Sequence, residues 1–522
     1  MIPMFRLRPE LSLVDESSIF QIDEKPFCIY DQRQCIFHYC DTDDFQVCVY
    51  LREWRNEQEL VSFVRSIDSN QPYSYYIEGF RTIKILEEKS QEDKPATHSD
   101  DKAILFVAEQ IPYVDRAQRP RGFPPSISLN ITTACNLECL HCSQEAGGNH
   151  SISQLSLEEI VGLFDQFEKY ALWDLRLSGG EPTCHPKLPE ILHDAAKRRF
   201  GLVLFTNGTV LTPSLREAIL QIAKDKPSFR IHLSIDGAQA KTHDWLRNRP
   251  GVFDKLMSFM KFLKDNNINW IAECVVTRRN MEELYKIAEL VNDYGARLIT
   301  FHVSSAVGRT IGGDPDLLLQ LDEMQRIQVI GDDLAMRYDG SLGVNMANVS
   351  LPDGLVLPDN VLRKRQLSLI FQGERLLNQN REIHKIAALT QQEPYFYQRK
   401  RKYCSAGISQ MTIEGDGSVY PCPFVATRAD WSIGNVRESD VLSLWKSDKF
   451  LFFRGEWKVS DLPICSQCAW EKQCHLPKIC RVASLVNFDD PYGPAPECVN
   501  KYKQLGSGLP DDLWEPVAQS SH

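Results

Sequence analysis

What this sequence lacks removes several classes of protein before any motif is considered. In 522 residues no uninterrupted apolar run approaches the length a helix needs to cross a bilayer. The opening Met1-Ile2-Pro3-Met4-Phe5-Arg6 lacks the apolar segment and cleavage site of a secretory signal. No block of Lys and Arg stands out, and the formal charge is −11 with a pI of about 5.6. That is the opposite of the basic footprint that a phosphate backbone demands. The expectation is a soluble cytoplasmic protein with no membrane and no nucleic-acid partner.

What the chain does have is 43% apolar residues, enough for a sizeable core in two or three domains, and 16 cysteines. In a large chain without an export signal, such thiols bind metal or do redox chemistry rather than form a disulfide framework. Cys135, Cys139 and Cys142 stand at C-x3-C-x2-C directly after a short apolar run, Ile127 to Ile131. Three thiols on one loop can converge on one centre. A structural zinc site closes with four ligands, and a cubane iron–sulfur cluster also takes four. Three thiolates therefore leave one iron open to something else. Three unrelated core cysteines, or part of a zinc site, are the plainer alternatives.

Residues 1–88 read as a small winged-helix-like module. Short strands are expected over Leu7–Val14, Ile19–Ile22 and Phe27–Tyr30, and a last strand over Phe80–Leu86. A helix is expected around Glu57–Ile67, with Leu60, Val61, Phe63 and Val64 on its apolar face. Cys28, Cys35, Cys40 and Cys48 fit no cluster spacing and read as buried thiols. Residues 89–123 are a polar linker with Pro and Gly.

From Ser126 to Val303 strand-like and helix-like segments alternate six times. The strands are Ser126–Ile131, Leu175–Leu177, Leu202–Phe205, Arg230–Ile235, Trp270–Val276 and Leu298–Val303. Helices start at Ser156, where Glu159 completes a capping box, and at Thr212, with Pro213 at the first helical position. Another starts at Asn280 and buries Leu284, Ile287 and Val291. Such alternation implies parallel strands with right-handed crossovers, and six units are too few for a closed eightfold barrel. The fold class is α/β: a (β/α)6 partial barrel over 124–311, its working loops at the C-terminal strand ends. Residues 312–402 read as a helical bridge (Leu317–Met336, Leu362–Glu374, Glu382–Leu389) to a cysteine-rich domain over 403–522.

The strand ends carry the remaining signals. Ser178-Gly179-Gly180-Glu181-Pro182 follows the second strand. Its glycines would let a ligand approach the backbone, and Glu181 offers a carboxylate to a bound ammonium. Thr206-Asn207-Gly208 follows the third strand, Ser234-Ile235-Asp236-Gly237 the fourth and Val307-Gly308-Arg309 the sixth. Each alone is an ordinary turn. In this order, behind the cysteine triad, they resemble the radical S-adenosylmethionine (SAM) enzymes. The resemblance implies that Cys135, Cys139 and Cys142 hold a [4Fe–4S] cluster whose open iron is chelated by SAM. It implies that Gly179, Gly180 and Glu181 hold the methionyl amino group, and that Asn207, Ser234 and Arg247 contact the cofactor, the last two at its carboxylate or ribose. His141 takes the place of the aromatic residue usual before the third cysteine and would flank adenine. The segment around Gly308 would lie beside the adenosine. Cys184 and Cys274 read as core thiols or thiols flanking the site.

Further on, Cys404, Gly417 and Cys422 fit C-x12-G-x4-C, followed by Cys465-x2-Cys468-x5-Cys474, Cys480 and Cys498. This set resembles the SPASM extension of peptide-modifying radical SAM enzymes, which implies two auxiliary [4Fe–4S] clusters and three in all. Carried over by position, Cys465, Cys468, Cys474 and Cys498 would hold the outer cluster, and Cys404, Cys422 and Cys480 the inner one. One departure is that five residues separate Cys474 from Cys480, where the family usually has three. No cysteine lies between Cys274 and Cys404 to supply the family's further ligand. A substrate thiolate, a water or a non-cysteine side chain would complete the inner cluster. A zinc-ribbon-like fold is the alternative, although seven cysteines divide poorly into closed four-thiolate sites.

Together these resemblances imply a radical SAM peptide maturase. It would generate a 5′-deoxyadenosyl radical and install a crosslink or related modification in a ribosomally synthesised precursor peptide (a RiPP). The opening Arg6-Leu7-Arg8-Pro9-Glu10-Leu11-Ser12-Leu13-Val14 resembles the RiPP recognition element, which grips a leader peptide as an added strand. The implied partners are a precursor peptide with its leader, and flavodoxin or ferredoxin as electron donor. Two other readings stand beside this one. An anaerobic sulfatase-maturing enzyme would carry an aspartate where Pro423 follows Cys422. A non-enzymatic metal-cluster scaffold that binds peptides would have no use for the triad together with Gly179-Gly180-Glu181.

Overall fold

The computed structural model describes residues 3–7, 11–15, 27–31, 36–40, 46–48, 50–51, 54–67, 73–82, 86–90 and 105–106. It then describes 123–347, apart from 125, 149–150, 171, 173, 227, 320 and 339–340, and 406–407, 410–454, 462, 466 and 481–493. In the N-terminal part the order is β1 (Pro3–Leu7), β2 (Leu11–Asp15), β3 (Phe27–Asp31), β4 (Ile36–Cys40), β5 (Arg55–Asn56), α1 (Glu57–Ser66), α2 (Tyr73–Thr82), β6 (Leu86–Ser90) and β7 (Leu105–Phe106).

These strands make two sheets, ordered β5-β1-β6 and β4-β3-β2-β7. The expected strand Leu7–Val14 is two strands in different sheets, and Pro9, which cannot donate to a ladder, falls between them in sequence. The expected strand Phe80–Leu86 is corrected as well. Phe80 lies on the buried face of α2, packed with Tyr76 and Ile77 against Phe5, Leu60 and Val64, and strand begins at Leu86. The reciprocal Asn56–Glu59 capping box starts α1. Cys48 is buried in this core. The expected strand Ile19–Ile22 lies outside the described residues.

The central domain runs β8 (Ser126–Asn130), α3 (Leu157–Lys169), β9 (Asp174–Ser178), α4 (Leu188–Ala196), β10 (Gly201–Thr206), α5 (Pro213–Asp225), β11 (Phe229–Ser234), α6 (Ala240–Arg247), α7 (Val252–Asp265), β12 (Trp270–Val276), α8 (Leu284–Asp293) and β13 (Leu298–Val303). All six strands are parallel neighbours, in the order of the chain. This is the α/β partial barrel. Ser156 and Thr212 cap α3 and α5 through their hydroxyls. After Asn280 a turn of 3-10 helix, Met281–Glu283, precedes α8, and Asn280 instead accepts from the Thr277 N–H.

The sheet does not end at six strands. After α9 (Leu321–Arg337), β14 (Gly343–Ala347) adds in parallel to β13, so the bridge is not wholly helical. Its other two expected helices, Leu362–Glu374 and Glu382–Leu389, lie outside the described residues. At the opposite end β15 (Gln410–Ile413) joins β8 in parallel, followed by antiparallel β16 (Ser418–Tyr420) and β17 (Gly434–Asn435). The cysteine-rich domain is therefore hydrogen-bonded into the barrel sheet. Trp445, from α10 (Val441–Trp445), shares one core with Phe164 of α3. A last helix, α11 (Arg481–Phe488), packs Val482 and Leu485 beside Cys422.

Alternation along each strand divides the two faces. Ile231, Leu233, Ala272, Cys274, Ile299 and Phe301 pack with Phe259, Ile287 and Val291 of the helices. Their neighbours His232, Ser234, Glu273 and His302 turn to the inner face, and all are only half-buried.

Candidate active site

The cysteine loop leaves the C-terminal end of β8 and is stitched to the loop after β9. Ile131 N–H donates to Ser178 O, Gly180 N–H to Thr132 O and Glu181 N–H to Ala134 O, at 2.8 to 3.0 Å. This ladder requires the glycines. Gly179 has φ +147°, and a Cβ on it would meet Thr132 O at 2.4 Å; one on Gly180 would meet Ala134 O at 2.3 Å. The sequence suggested that these glycines admit a ligand. In the structure they admit the backbone of the cysteine loop itself.

Two arginines hold the rest of the loop by its carbonyls. Arg309 donates to Cys139 O, Glu145 O and Ala146 O, and Arg249 to Asn136 O. Arg309 N–H also donates to Cys142 O at 3.1 Å. Cys135, Cys139 and Cys142 pack in one small cluster with Leu137 and Val252. Among the described residues no three His, Cys, Asp or Glu side chains gather closely enough to share one metal ion. In a cubane each thiolate binds a separate iron. Burial pushes the Cys135 thiol up to about 12, the Leu137 N–H opposing. Burial also raises Cys139, with Arg247 opposing. Thiols so placed are inert nucleophiles that deprotonate on binding metal. The donor set fits an iron–sulfur cluster with one open corner.

Glu181 is 2% exposed. Its Oε1 accepts from Thr183 N–H, Thr183 Oγ1 and Thr206 Oγ1, and its Oε2 from Asn207 N–H. Burial raises this carboxyl and the four donors oppose the shift. Oε2 keeps room for a further donor, and a bound ammonium would favour the charged form. The Asn207 side chain turns to the cysteine loop: Nδ2 donates to Asn136 Oδ1 at 2.9 Å, and Asn136 Nδ2 donates to Thr209 Oγ1 at 2.7 Å.

Arg247 lies at the end of α6, with its guanidinium inside the protein. Nη2 pairs with Asp236 Oδ2 at 2.6 Å, and Nη1 donates to Cys139 Sγ at 3.8 Å. Burial works against its charge, but Asp236 and Cys139 outweigh burial and hold the guanidinium above its ordinary range. Asp236 is 0% exposed, and its Oδ1 accepts from Val275 N–H. The sequence alone assigns Asp236 no role. An acid and an arginine 11 positions apart across a strand-to-helix turn were the available signal. Ser234 sits half-buried at the last position of β11. His141 keeps an inward Nδ1 without a partner, and burial holds its ring down at about 4, so it is neutral at physiological pH.

The second cysteine set is described in part. Cys422 is 5% exposed, packed with Tyr420, Val425 and Phe453. Cys404, Cys465, Cys468, Cys474, Cys480 and Cys498 lie outside the described residues. The turn after β15 ties both domains together: Glu414 Oε1 accepts from Asn130 Nδ2 at 2.8 Å and from Gln144 Nε2, in the cysteine loop, at 3.3 Å.

Comparison with known proteins agrees with this geometry. Residues 129–329 match the radical SAM superfamily, and residues 404–469 match SPASM, an iron–sulfur cluster-binding domain. An AdoMet-dependent heme synthase of Methanosarcina barkeri is 26% identical, covering 72% of this chain and 96% of its own. Mycofactocin maturase MftC of Mycobacterium tuberculosis is also 26% identical, covering 78% of this chain and 91% of its own. The crystal structure of Streptococcus suis SuiB bound to S-adenosylmethionine superposes with TM-score 0.59 at 13% identity, over 93% of this chain and 98% of that one. SuiB bound to precursor peptide SuiA gives 0.58 at 13% identity, over 90% and 94%. The chain carries a radical SAM domain and, after its barrel, a SPASM iron–sulfur cluster-binding domain.

Proposed function

We propose that this enzyme matures a ribosomally synthesised precursor peptide, installing a crosslink or a related radical modification. The observation that carries this reading is the joining of a radical SAM barrel to a SPASM domain through one sheet, β15 on β8. Mycofactocin maturase MftC is similar over 78% of this chain, and a SuiB structure of the same fold contains a precursor peptide. When bound, the first cluster and SAM supply a 5′-deoxyadenosyl radical, which takes a hydrogen atom from the substrate. This chain's own residues position that chemistry. Cys135, Cys139 and Cys142 hold the cluster. By the family resemblance, the Gly179-Gly180-Glu181 segment receives the amino group of SAM, Ser234 its carboxylate or ribose, and His141 flanks the adenine. Arg247 reaches the sulfur of Cys139, and Asn207 reaches the loop through Asn136. Cys404, Cys422 and Cys480 serve an inner auxiliary cluster, and Cys465, Cys468, Cys474 and Cys498 an outer one. Flavodoxin or ferredoxin delivers the electron, and the work is done in the cytoplasm. The N-terminal module receives the leader as a strand added beside β4, which ends the order β4-β3-β2-β7 among the described residues.

The test is anaerobic incubation of the reconstituted enzyme with SAM, dithionite and the peptide encoded beside its gene. A mass loss of about 2 Da in the core peptide is the expected signature of a crosslink that removes two hydrogens. A second reading follows the heme synthase, which the chain covers over 96% of its length. It predicts haem formation, seen as a growing Soret band, and an unchanged peptide. The formylglycine reading is weaker, because Pro423 opens a 3-10 turn where that chemistry expects an aspartate.

A further inference from the structure

Three adjacent strands place a carboxylate between two imidazoles on the inner face of the barrel. His232 of β11 approaches Glu273 Oε1 through Nδ1 at 2.5 Å. His302 of β13 approaches Glu273 Oε2 through Nε2 at 2.6 Å. A carboxylate only accepts, so both facing ring nitrogens carry hydrogen. In the neutral rings the outer nitrogens are then acceptors: Nε2 of His232, which is buried with no partner, and Nδ1 of His302. The His302 side chain is 38% exposed, against 14% for His232 and 15% for Glu273. Burial opposes the Glu273 charge, but the two imidazoles outweigh it and hold the carboxyl at about 2. The other charges acting on the group, Arg230 and Arg176, bear on His232. Structure alone does not call for this arrangement, since apolar side chains would fill the barrel at lower cost. Its geometry is that of a base oriented by a carboxylate, one residue from the C-terminal end of β13.

We infer that His302 is the base that takes the substrate's proton, with Glu273 as the residue that positions it. The inference rests on the peptide-maturation reading. Joining C–H to X–H (X being N, O, S or aromatic C) loses two hydrogens. One leaves as an atom to the 5′-deoxyadenosyl radical, giving 5′-deoxyadenosine. The other leaves as a proton to His302 Nδ1, and the remaining electron passes to an oxidised auxiliary iron–sulfur cluster. The new C–X bond forms as the X–H bond breaks.

The test compares wild type, H302Q and E273Q, with diethyl pyrocarbonate footprinting of His302 as a readout independent of turnover. Gln at position 302 can still donate to Glu273, so the fold is preserved while the base is lost. Product from wild type establishes the peptide reading first; its absence overturns that reading, and peptide protection of His302 then has no meaning. Given product, H302Q is expected to keep its iron and to form 5′-deoxyadenosine near the wild-type rate. Its crosslinked product should fall about 100-fold, the usual contribution of a general base. E273Q should fall less. Bound peptide, with SAM, should shield His302 from acylation. Crosslinking by H302Q at the wild-type rate, or acylation of His302 unaffected by peptide, overturns the inference.

Discussion

Arg247 donates to the sulfur of Cys139 at 3.8 Å while a buried carboxylate, Asp236, holds its other nitrogen at 2.6 Å. With Cys139 as the proposed cluster ligand, this cationic hydrogen bond would withdraw electron density from the sulfur and raise the potential of the cluster. The same cation neutralises Asp236, so one side chain links the proposed cluster loop to the integrity of the barrel.

Arg247→Met separates these two duties. It leaves Asp236, 0% exposed, with its charge uncompensated. Breaking one side of a buried pair costs about 3–5 kcal/mol. Chemical unfolding should show that loss, and the double variant D236N/R247M should recover at least half of it. A single variant as stable as wild type would mean that the pair carries no net stability.

Gly180→Ala tests the backbone ladder. The added methyl meets Ala134 O at 2.3 Å, and that atom is backbone, so the cysteine loop must move. Iron bound after anaerobic reconstitution should fall sharply, by the equivalent of about one four-iron cluster per chain. Gly251→Ala is the control: at φ +78° it is strained, but the space is open and far less should change. Equal iron contents for the two variants would show that the loop tolerates displacement.

Much of this was legible in the sequence. The six barrel strands were readable because each is a short apolar run separated from the next by a helical segment, two of those helices announced by the Ser156 and Thr212 caps, and local pattern suffices for such units. The N-terminal part was legible only in part. The helix at Glu57 and the strand at Phe27 were readable. Tyr73–Thr82 was not: it is rich in aromatic residues suited to strands, yet its packing against Phe5 and Leu60 makes it a helix. The parallel partnership of β15 with β8 joins Gln410 to Ser126, a separation no window can see. The cysteines and the Gly-Gly-Glu segment were visible by spacing. The Glu273 group was invisible, because His232, Glu273 and His302 come together only once the register of three strands is known.

Glu414 gives a pH dependence with a defined sign. Burial pushes its carboxyl up to about 7 from an ordinary 4.5, with the Asn130 hydrogen bond opposing. Between those values the folded chain holds a proton that the unfolded chain has released. Stability therefore falls as pH rises from 4.5 to 7 and is level, for this group, above that. Glu414→Gln keeps an acceptor for Asn130 and removes the titration. It should be more stable than wild type by about 3 kcal/mol above neutral pH and equal to it in acid, measured by denaturant unfolding at each pH. A difference independent of pH would show that Glu414 does not titrate in this range.

Iron stoichiometry separates the two cysteine sets. Three cubanes predict about 12 iron and about 12 sulfide per chain. Replacing Cys135, Cys139 and Cys142 together by Ala should leave about 8 iron and abolish SAM cleavage. Their loop is held by Arg309, Arg249 and the Gly180 ladder independently of any metal, so folding should survive. Replacing Cys465 and Cys468 should remove iron while leaving some SAM cleavage, because the electron enters SAM at the first cluster. Cys422→Ala should act in the same way, and with a packing cost as well, since its side chain sits among Tyr420, Val425 and Leu485. Zinc in place of iron in the second set, at about one or two ions per chain, would turn that domain into a structural ribbon. The electron released on coupling would then have no auxiliary cluster to enter, and the maturase reading would lose its oxidant.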